Sequence, residues 1–361
     1  MEFSVKIREA TAEDRVTWNT FVDNEDGNYG HYFDWKDIYE TSGVQFIPLL
    51  METSTPQLVG ILPIVKENGP LYSVLHAYKG GLLLSKNLSG VERHKTILAL
   101  VKHIDSNYSR RCSRFELYEH FPSLNQFDDE PNSALIESGF RFRYDKLTGL
   151  PCKFVVKLKQ PFEDTIWRGL WSSSLRNKLK RAKKRGIVVI HDQDLDYLDT
   201  FVDMLSETYK RHENAPPTRK LIDAELNTFK GKIKLFVALR VNQPIAAILC
   251  HYYADTCELS SLGSWARENQ DATALCYASI IEDACNAGYR FADLTVATTQ
   301  GMVFFKERFK GVRIPYGSYE KRYSITRFFI EMVPVVFKEI RRDKLYIWKI
   351  RGRLWDRIIN G

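Results

Sequence analysis

No two cysteines in this chain stand at C-x-x-C spacing and none has a histidine at metal-ligand spacing. Cys112, Cys152, Cys250, Cys257, Cys276 and Cys285 are scattered singly. That pattern excludes a zinc site and a disulfide framework and leaves reduced packing residues. A G-x-S-x-G elbow, a Walker phosphate loop, an H-E-x-x-H helix and a Ser-His-Asp order are equally missing, which removes hydrolase, NTPase and zinc-protease readings. The histidines are dispersed and none is assigned a role. No run approaches the roughly 18 apolar residues of a spanning helix. Residues 1–20 carry charges throughout and lack an apolar signal core, so the expected location is cytoplasmic. Charge of one sign is also modest: a formal +7 is compatible with nucleic acid, nucleotide phosphates or an anionic membrane, and does not choose among them.

What is present is core-forming material. With 44% hydrophobic and 13% aromatic composition over 361 residues, the chain can bury ample apolar surface and is long enough for two domains. Two stretches share one local grammar. Phe46 to Leu50, a polar turn, and Gln57 to Leu62 read as a hairpin; so do Ile233 to Leu239, a turn at Asn242, and Gln243 to Ile248. After each comes more strand-like sequence, an amphipathic helix (Val91 to Ile104; Ala274 to Asn286) and a short strand (Arg114 to Tyr118; Phe291 to Leu294). Equivalents lie about 175 to 190 residues apart, the signature of a duplicated α/β unit with mixed sheets. Further helices are expected over Leu195 to Tyr209 and Leu221 to Phe229.

Between the repeats lies the densest charge. Seven of the ten residues from Arg176 to Arg185 are basic and none is acidic. Leu175, Leu179 and Ala182 recur at helical spacing, so one face can pack while Arg176, Lys178, Lys180, Arg181, Lys183, Lys184 and Arg185 fan outward, with Gly186 ending the helix. The surface so formed is either a solvated face or a polyanion contact. From Lys321 to Gly361, eleven Lys or Arg stand against four Asp or Glu, interleaved with aromatics such as Phe328, Tyr346, Trp348 and Trp355. Such a tail packs as helices over its own domain or lies on an anionic membrane.

The segment Ala287 to Leu294 is followed by Thr298-Thr-Gln-Gly-Met-Val-Phe-Phe-Lys306-Glu-Arg-Phe-Lys-Gly311. Together with Ser174-Leu-Arg-Asn-Lys178, Thr208-Tyr-Lys-Arg211, Asp34-Trp35 and Leu62-Pro63, in this order and spacing, it resembles the Fem-type aminoacyltransferases (FemABX) and related acyltransferases of the GNAT superfamily, over roughly residues 16–320. The resemblance implies an α/β fold of two tandem GNAT-like domains, 1–150 and 151–320, each a mixed, mostly antiparallel sheet flanked by helices, followed by a basic helical tail, 321–361. It implies transfer of an acyl or aminoacyl group to an amine of a cell-envelope precursor, with no metal and no resident cofactor. The donor is a co-substrate, aminoacyl-tRNA or acyl-CoA.

The resemblance assigns catalysis or donor binding to Lys306, which stands at the family's Phe-Lys pair. Beside Met302 and Phe309 on its helix it can reach a cleft edge, neutralise a phosphate or carboxylate, or polarise a carbonyl; alternatively it snorkels at the surface. Asp293 ends a strand, placed to receive a proton or orient the amine, or to cap the turn at Thr298 and Thr299. Tyr209 and Arg211 match the family's Tyr-x-Arg, a substrate-binding pair; Arg211 can clamp phosphate or carboxylate, or pair with Glu207 or Glu213. Lys36, beside Trp35, contacts acceptor phosphate by analogy.

Donor binding is expected at Arg176, Lys180, Lys183, Lys184 and Arg267. An acyl-CoA enzyme of this superfamily carries R/Q-x-x-G-x-G/A before a helix, where backbone amides cradle pyrophosphate. Here the run is Arg267-Glu-Asn-Gln-Asp-Ala272, with Gln270 in place of the central glycine and Glu268 and Asp271 adding negative charge. The altered loop and the basic helix favour an RNA-borne donor. Two other readings stand beside it: a CoA-dependent N-acyltransferase acting on an exopolysaccharide or lipid-linked amino sugar, and a non-catalytic RNA- or membrane-binding protein.

Overall fold

The computed structural model describes residues 3–69, 72–119, 132–144, 148–211, 216–265 and 270–324. In the first half run β1 (Val5–Glu9), α1 (Arg15–Asn24), α2 (Trp35–Thr41), β2 (Gln45–Thr53), β3 (Leu58–Asn68), β4 (Ser73–Leu84), α3 (Gly90–Tyr108), β5 (Cys112–Glu119), α4 (Ser133–Glu137) and β6 (Arg141–Arg143). Then follow β7 (Cys152–Lys157), the last strand of the first repeat, and, in the second repeat, α5 (Ser173–Lys184), β8 (Ile187–Asp192), α6 (Leu198–Arg211), α7 (Arg219–Thr228), β9 (Ile233–Arg240), β10 (Gln243–Tyr253), β11 (Thr256–Ser264), α8 (Gln270–Asn286), β12 (Phe291–Ala297), α9 (Gln300–Glu307), β13 (Val312–Pro315) and β14 (Ser318–Arg322).

Two seven-stranded sheets form, ordered β1-β2-β3-β4-β5-β14-β6 and β13-β7-β12-β11-β10-β9-β8. The second, read backwards, repeats the first. Four antiparallel strands are followed by a crossover helix, α3 or α8, and a fifth strand parallel to the fourth. The sixth place is exchanged. β7, which follows β6 along the chain, lies between β12 and β13, whereas β14, which follows β13, lies between β5 and β6. The expected division at residue 320 therefore passes through a strand of the first sheet, and residues 321–322 belong to that strand and not to a tail. Residues 325–361, most of the expected tail, lie outside the described residues.

Local chemistry explains the helices that position the site. In α3 the Ser89 hydroxyl accepts from Glu92 N–H while the Glu92 carboxylate accepts from Ser89 N–H, a reciprocal cap; Ile97, Leu100, Val101 and Ile104 then face the sheet. Ser172 caps α5, and Leu175, Leu179 and Ala182 bury one narrow face. The helix α8 is buried nearly all round (Ala274, Leu275, Cys276, Ile280, Ile281, Ala284), as a central crossover helix must be. Helix α6 begins at Leu198 and not at Leu195, because Leu195 adopts φ +59° and cannot continue a right-handed helix. Gly263 lets α6 close on β11: a Cβ there would lie 2.8 Å from the Leu205 nitrogen.

The halves share a core. Phe229 and Tyr253 of the second half pack with Trp18, Phe33 and Trp35 of the first, and Tyr29 stacks on His251 at 3.9 Å between ring centroids. His251 Nε2 and Glu225 Oε1 share a buried hydrogen bond of 2.8 Å beneath that stack. Asp34 accepts from Arg15 and Asn19, tying α1 to α2, and the Trp35 indole donates to the Tyr29 carbonyl. All six cysteines are buried, and none forms a disulfide among the described residues.

Candidate active site

Parallel pairing of β11 with β12 runs Thr256↔Phe291, Cys257↔Ala292, Glu258↔Asp293, and goes no further. Beyond Glu258 and Asp293 the strands continue to Ser264 and Ala297 without pairing, so a fork opens. On the far side of β12 the register with β7 also breaks. Asp293 pairs Val155 and Val296 pairs Lys153, so Leu294 and Thr295 together oppose Phe154. This is a β-bulge, which re-aims side chains at the end of a ladder. Thr295 within it has φ +63°, a left-handed conformation that a β-branched residue rarely adopts and that costs on the order of 1–2 kcal/mol.

The bulge gathers four groups. Asp293, 3% exposed, accepts from Thr295 N–H at 2.8 Å through Oδ1 and pairs with Lys153 Nζ at 2.5 Å through Oδ2. Lys306, 2% exposed on α9, donates to Thr295 Oγ1 at 3.1 Å and to the Val296 carbonyl at 2.9 Å. Burial draws the Lys306 amine down to about 8, against the opposing pull of Asp293. Lys153 moves the other way: burial again works against its charge, but Asp293 and Glu258 overcome it and hold it firmly protonated. Tyr253 OH donates to Glu258 at 3.1 Å at the foot of the fork. The arrangement offers one fixed cation–carboxylate pair and one amine that exchanges its proton near neutrality.

Lys306 therefore does not snorkel at a rim. It lies on the buried face of α9, while Met302, expected beside it, is 38% exposed. Asp293 bonds within the bulge and not the turn at Thr299, whose own hydroxyl caps α9. Thr295, Lys153 and Glu258 were not singled out from sequence. Lys153 carried a signal: it stands in a strand between buried Cys152 and Phe154, where a lysine requires an anionic partner. Thr295 carried none, since nothing in Leu-Thr-Val announces a bulge.

Arg211 donates to the Ser264 and Trp265 carbonyls and to the Thr208 and Ser264 hydroxyls, locking the end of α6 to the tip of β11; Glu207 pairs instead with Lys210. Tyr209 is half-buried against the hydrophobic cluster of α6 and β9. Lys36 pairs with Glu40 one turn along α2, away from the bulge cluster. Arg176 does not fan outward: it donates to the carbonyls of Trp167, Arg168 and Trp171, closing the helical turn before α5. Lys178 and Arg185 both pair with Asp271 in the first turn of α8. Lys180, Arg181, Lys183 and Lys184 remain exposed and make no ion pair among the described residues. Arg267 lies outside the described residues.

The GNAT acetyltransferase-domain family matches residues 172–310, from the cap of α5 to the turn after α9. The fold of the tandem GNAT protein from the clavulanic acid biosynthesis pathway superposes with a TM-score of 0.56 at 10% identity, covering 89% of this chain and 99% of that one. Residues 172–310 thus match a GNAT acetyltransferase domain, and the chain has the fold of a tandem GNAT protein. The chain is also similar to FemX, with a TM-score of 0.66 and 10% identity over 91% of this chain and 99% of that chain. A third likeness is to L-PGS from Bacillus licheniformis, with a TM-score of 0.54 and 13% identity over 90% and 96%. No curated protein matches it in sequence. No helix among the described residues is long and apolar enough to cross a membrane.

Proposed function

We propose that the acyltransferase moves an aminoacyl group from aminoacyl-tRNA to an amine of a cell-envelope precursor, such as an amino sugar or peptide stem, with Lys306 as the proton relay. The acceptor nitrogen attacks the ester carbonyl, the carbonyl–oxygen bond to the ribose breaks, and an amide bond forms. The nitrogen loses one proton and the ribose oxygen gains one, so the neutral Lys306 amine takes the proton and hands it on. The observation that carries this reading is a lysine buried at a strained bulge in the fork, drawn down to about 8 by burial.

Choice of donor rests on charge. The N-terminus of α8, where a pyrophosphate would gain most from backbone amides, already faces the Asp271 carboxylate, itself held by Lys178 and Arg185. The exposed Lys180, Arg181, Lys183 and Lys184 instead form an open row suited to many phosphates. Lys36, Tyr209 and Arg211 border this proposal as acceptor contacts; Arg211 would have to exchange its carbonyl partners for substrate. Peripheral contact of residues 325–361 with an anionic membrane, from the cytoplasmic side, completes it.

Single-turnover transfer from labelled aminoacyl-tRNA to an amine acceptor tests the reading. Lys306→Ala is expected to slow the step by about 10²–10⁴-fold with tRNA affinity unchanged. Saturable acetyl-CoA binding by nucleotide-free protein, insensitive to added RNA, would establish the acyl-CoA alternative. Unaltered turnover in Lys306→Ala would leave a binding protein. Liposome co-sedimentation of the full chain against one ending at Ser324 tests the membrane contact.

A further inference from the structure

We infer that Lys153 is the positioning residue of this site: its ammonium occupies Asp293, so that the buried Lys306 amine is left with neutral acceptors. The inference rests on the reading of Lys306 as the proton relay and assigns the device that keeps the relay in play. Both oxygens of Asp293 are committed, Oδ2 to Lys153 at 2.5 Å and Oδ1 to Thr295 N–H at 2.8 Å. Lys306 Nζ finds a hydroxyl and a carbonyl, at 3.1 and 2.9 Å. A lysine buried with a carboxylate partner stays charged, as Lys153 does; one buried with neutral acceptors gives up its proton readily.

The titratable groups around Lys306 come from three strands: Asp293 on β12, Lys153 and the thiol of Cys152, which burial keeps protonated, on β7, and Glu258 on β11. On its own helix, Glu307 faces Arg313 at 4.0 Å. Asp293 and Glu258 favour the protonated amine, and Lys153 opposes it. Removing the Lys153 charge both ends that opposition and uncovers Asp293, so the two consequences share one sign. A neutral residue 153 makes Lys306 a harder acid to deprotonate. The bulge is what separates the lysines: with Thr295 turned left-handed, its N–H points to Asp293 while its hydroxyl points to Lys306.

Full-length protein carrying ¹³C-labelled lysine Cε reports the titration of Lys306 directly, its signal assigned by loss in Lys306→Arg. The wild-type midpoint is expected at about 8. Lys153→Met is expected to raise it by about one pH unit or more, and Lys153→Arg to leave it in place. Lys153→Met with Asp293→Asn leaves no unpaired charge and serves if the single variant does not fold; its midpoint returns to the wild-type value or below. An unmoved midpoint in folded Lys153→Met, or a wild-type-to-arginine change as large as the methionine one, overturns the inference. The pH–rate profile of transfer is expected to move with the midpoint. A midpoint that moves while the profile stays fixed upholds Lys153 as the positioning residue and overturns the proton-relay reading of Lys306.

Discussion

The two forks of this molecule have one topology and different chemistry. In the first domain β4 and β5 part after Ala77↔Leu117 and meet again at Leu82↔Glu119, and their ends border a small cavity of about 110 Å³ lined by Leu82, Leu84, Ile97, Leu117 and Leu135 together with Glu25, Lys86, Arg93 and Asn132. The register of β5 with β14 runs unbroken from Tyr118 to Arg114. The N-terminus of α3 is closed by its own Ser89 and Glu92. In the second domain the equivalent fork holds two lysines and two carboxylates, its register is broken by a bulge, and a threonine is held left-handed to aim them. One domain pairs its fifth and sixth strands in unbroken register beside a cavity of mixed lining, and the other accepts strain and buried charge. Strain persists where the surrounding structure over-determines it, and the bulge at Thr295 supports the proposal that places transfer at the second fork.

The sharpest way to break that contrast is to alter each fork once. Lys306→Ala is expected to cut single-turnover transfer by about 10²–10⁴-fold, whereas Leu117→Ala in the first fork is expected to lower unfolding free energy by about 2–5 kcal/mol with the chemical step intact. Equal losses of turnover from both would abolish the distinction. Next in size is the charge on α5. Replacing Lys180, Lys183 and Lys184 by alanine is expected to lower the slope of log affinity for tRNA against log salt by about 2 to 3, while Arg93→Ala leaves it unchanged. Filter binding across a salt series separates the two.

A smaller effect has the less usual sign. The folded Lys306 titrates at about 8, below the ordinary lysine value of 10.5, so its burial opposes folding whenever it is charged. That penalty is full below pH 8 and fades as pH rises toward 10.5. Lys306→Met is therefore expected to stabilise the protein at pH 7 by on the order of 1 kcal/mol after its two hydrogen bonds are lost, with the gain shrinking at alkaline pH in denaturant titrations. Destabilisation at pH 7 would assign Lys306 a structural role. Smallest of all, Thr295→Gly releases the left-handed backbone; stability is expected to change by less than about 1 kcal/mol and transfer to slow severalfold as Lys306 loses its hydroxyl partner.

Much of the scaffold was legible because its signals are local. Hairpins such as Ile233–Arg240 with Gln243–Tyr253 announce themselves by apolar runs around a turn, and α3 by its amphipathic run. Repetition of the same grammar made the duplication visible. Lys306 was visible through the order of short motifs around it, but its burial was not, because periodicity along α9 marks Met302 and Phe309 and says nothing about the bulge that receives the ammonium. Arg176 and Lys180 look alike in a basic run. Only tertiary contacts distinguish the one that closes a helical turn from the one left in solvent. The exchanged strands were illegible for a related reason: a short run such as Cys152–Lys157 encodes a strand, and its neighbours are decided elsewhere.

That exchange has a consequence for descent. Each repeat lends the other an inner rung of its sheet. Discarding the first repeat would strand Ser318–Arg322 without a sheet, and trimming it back past residue 157 would carry off the cation that faces Asp293. The twins are retained together because neither can be inherited alone.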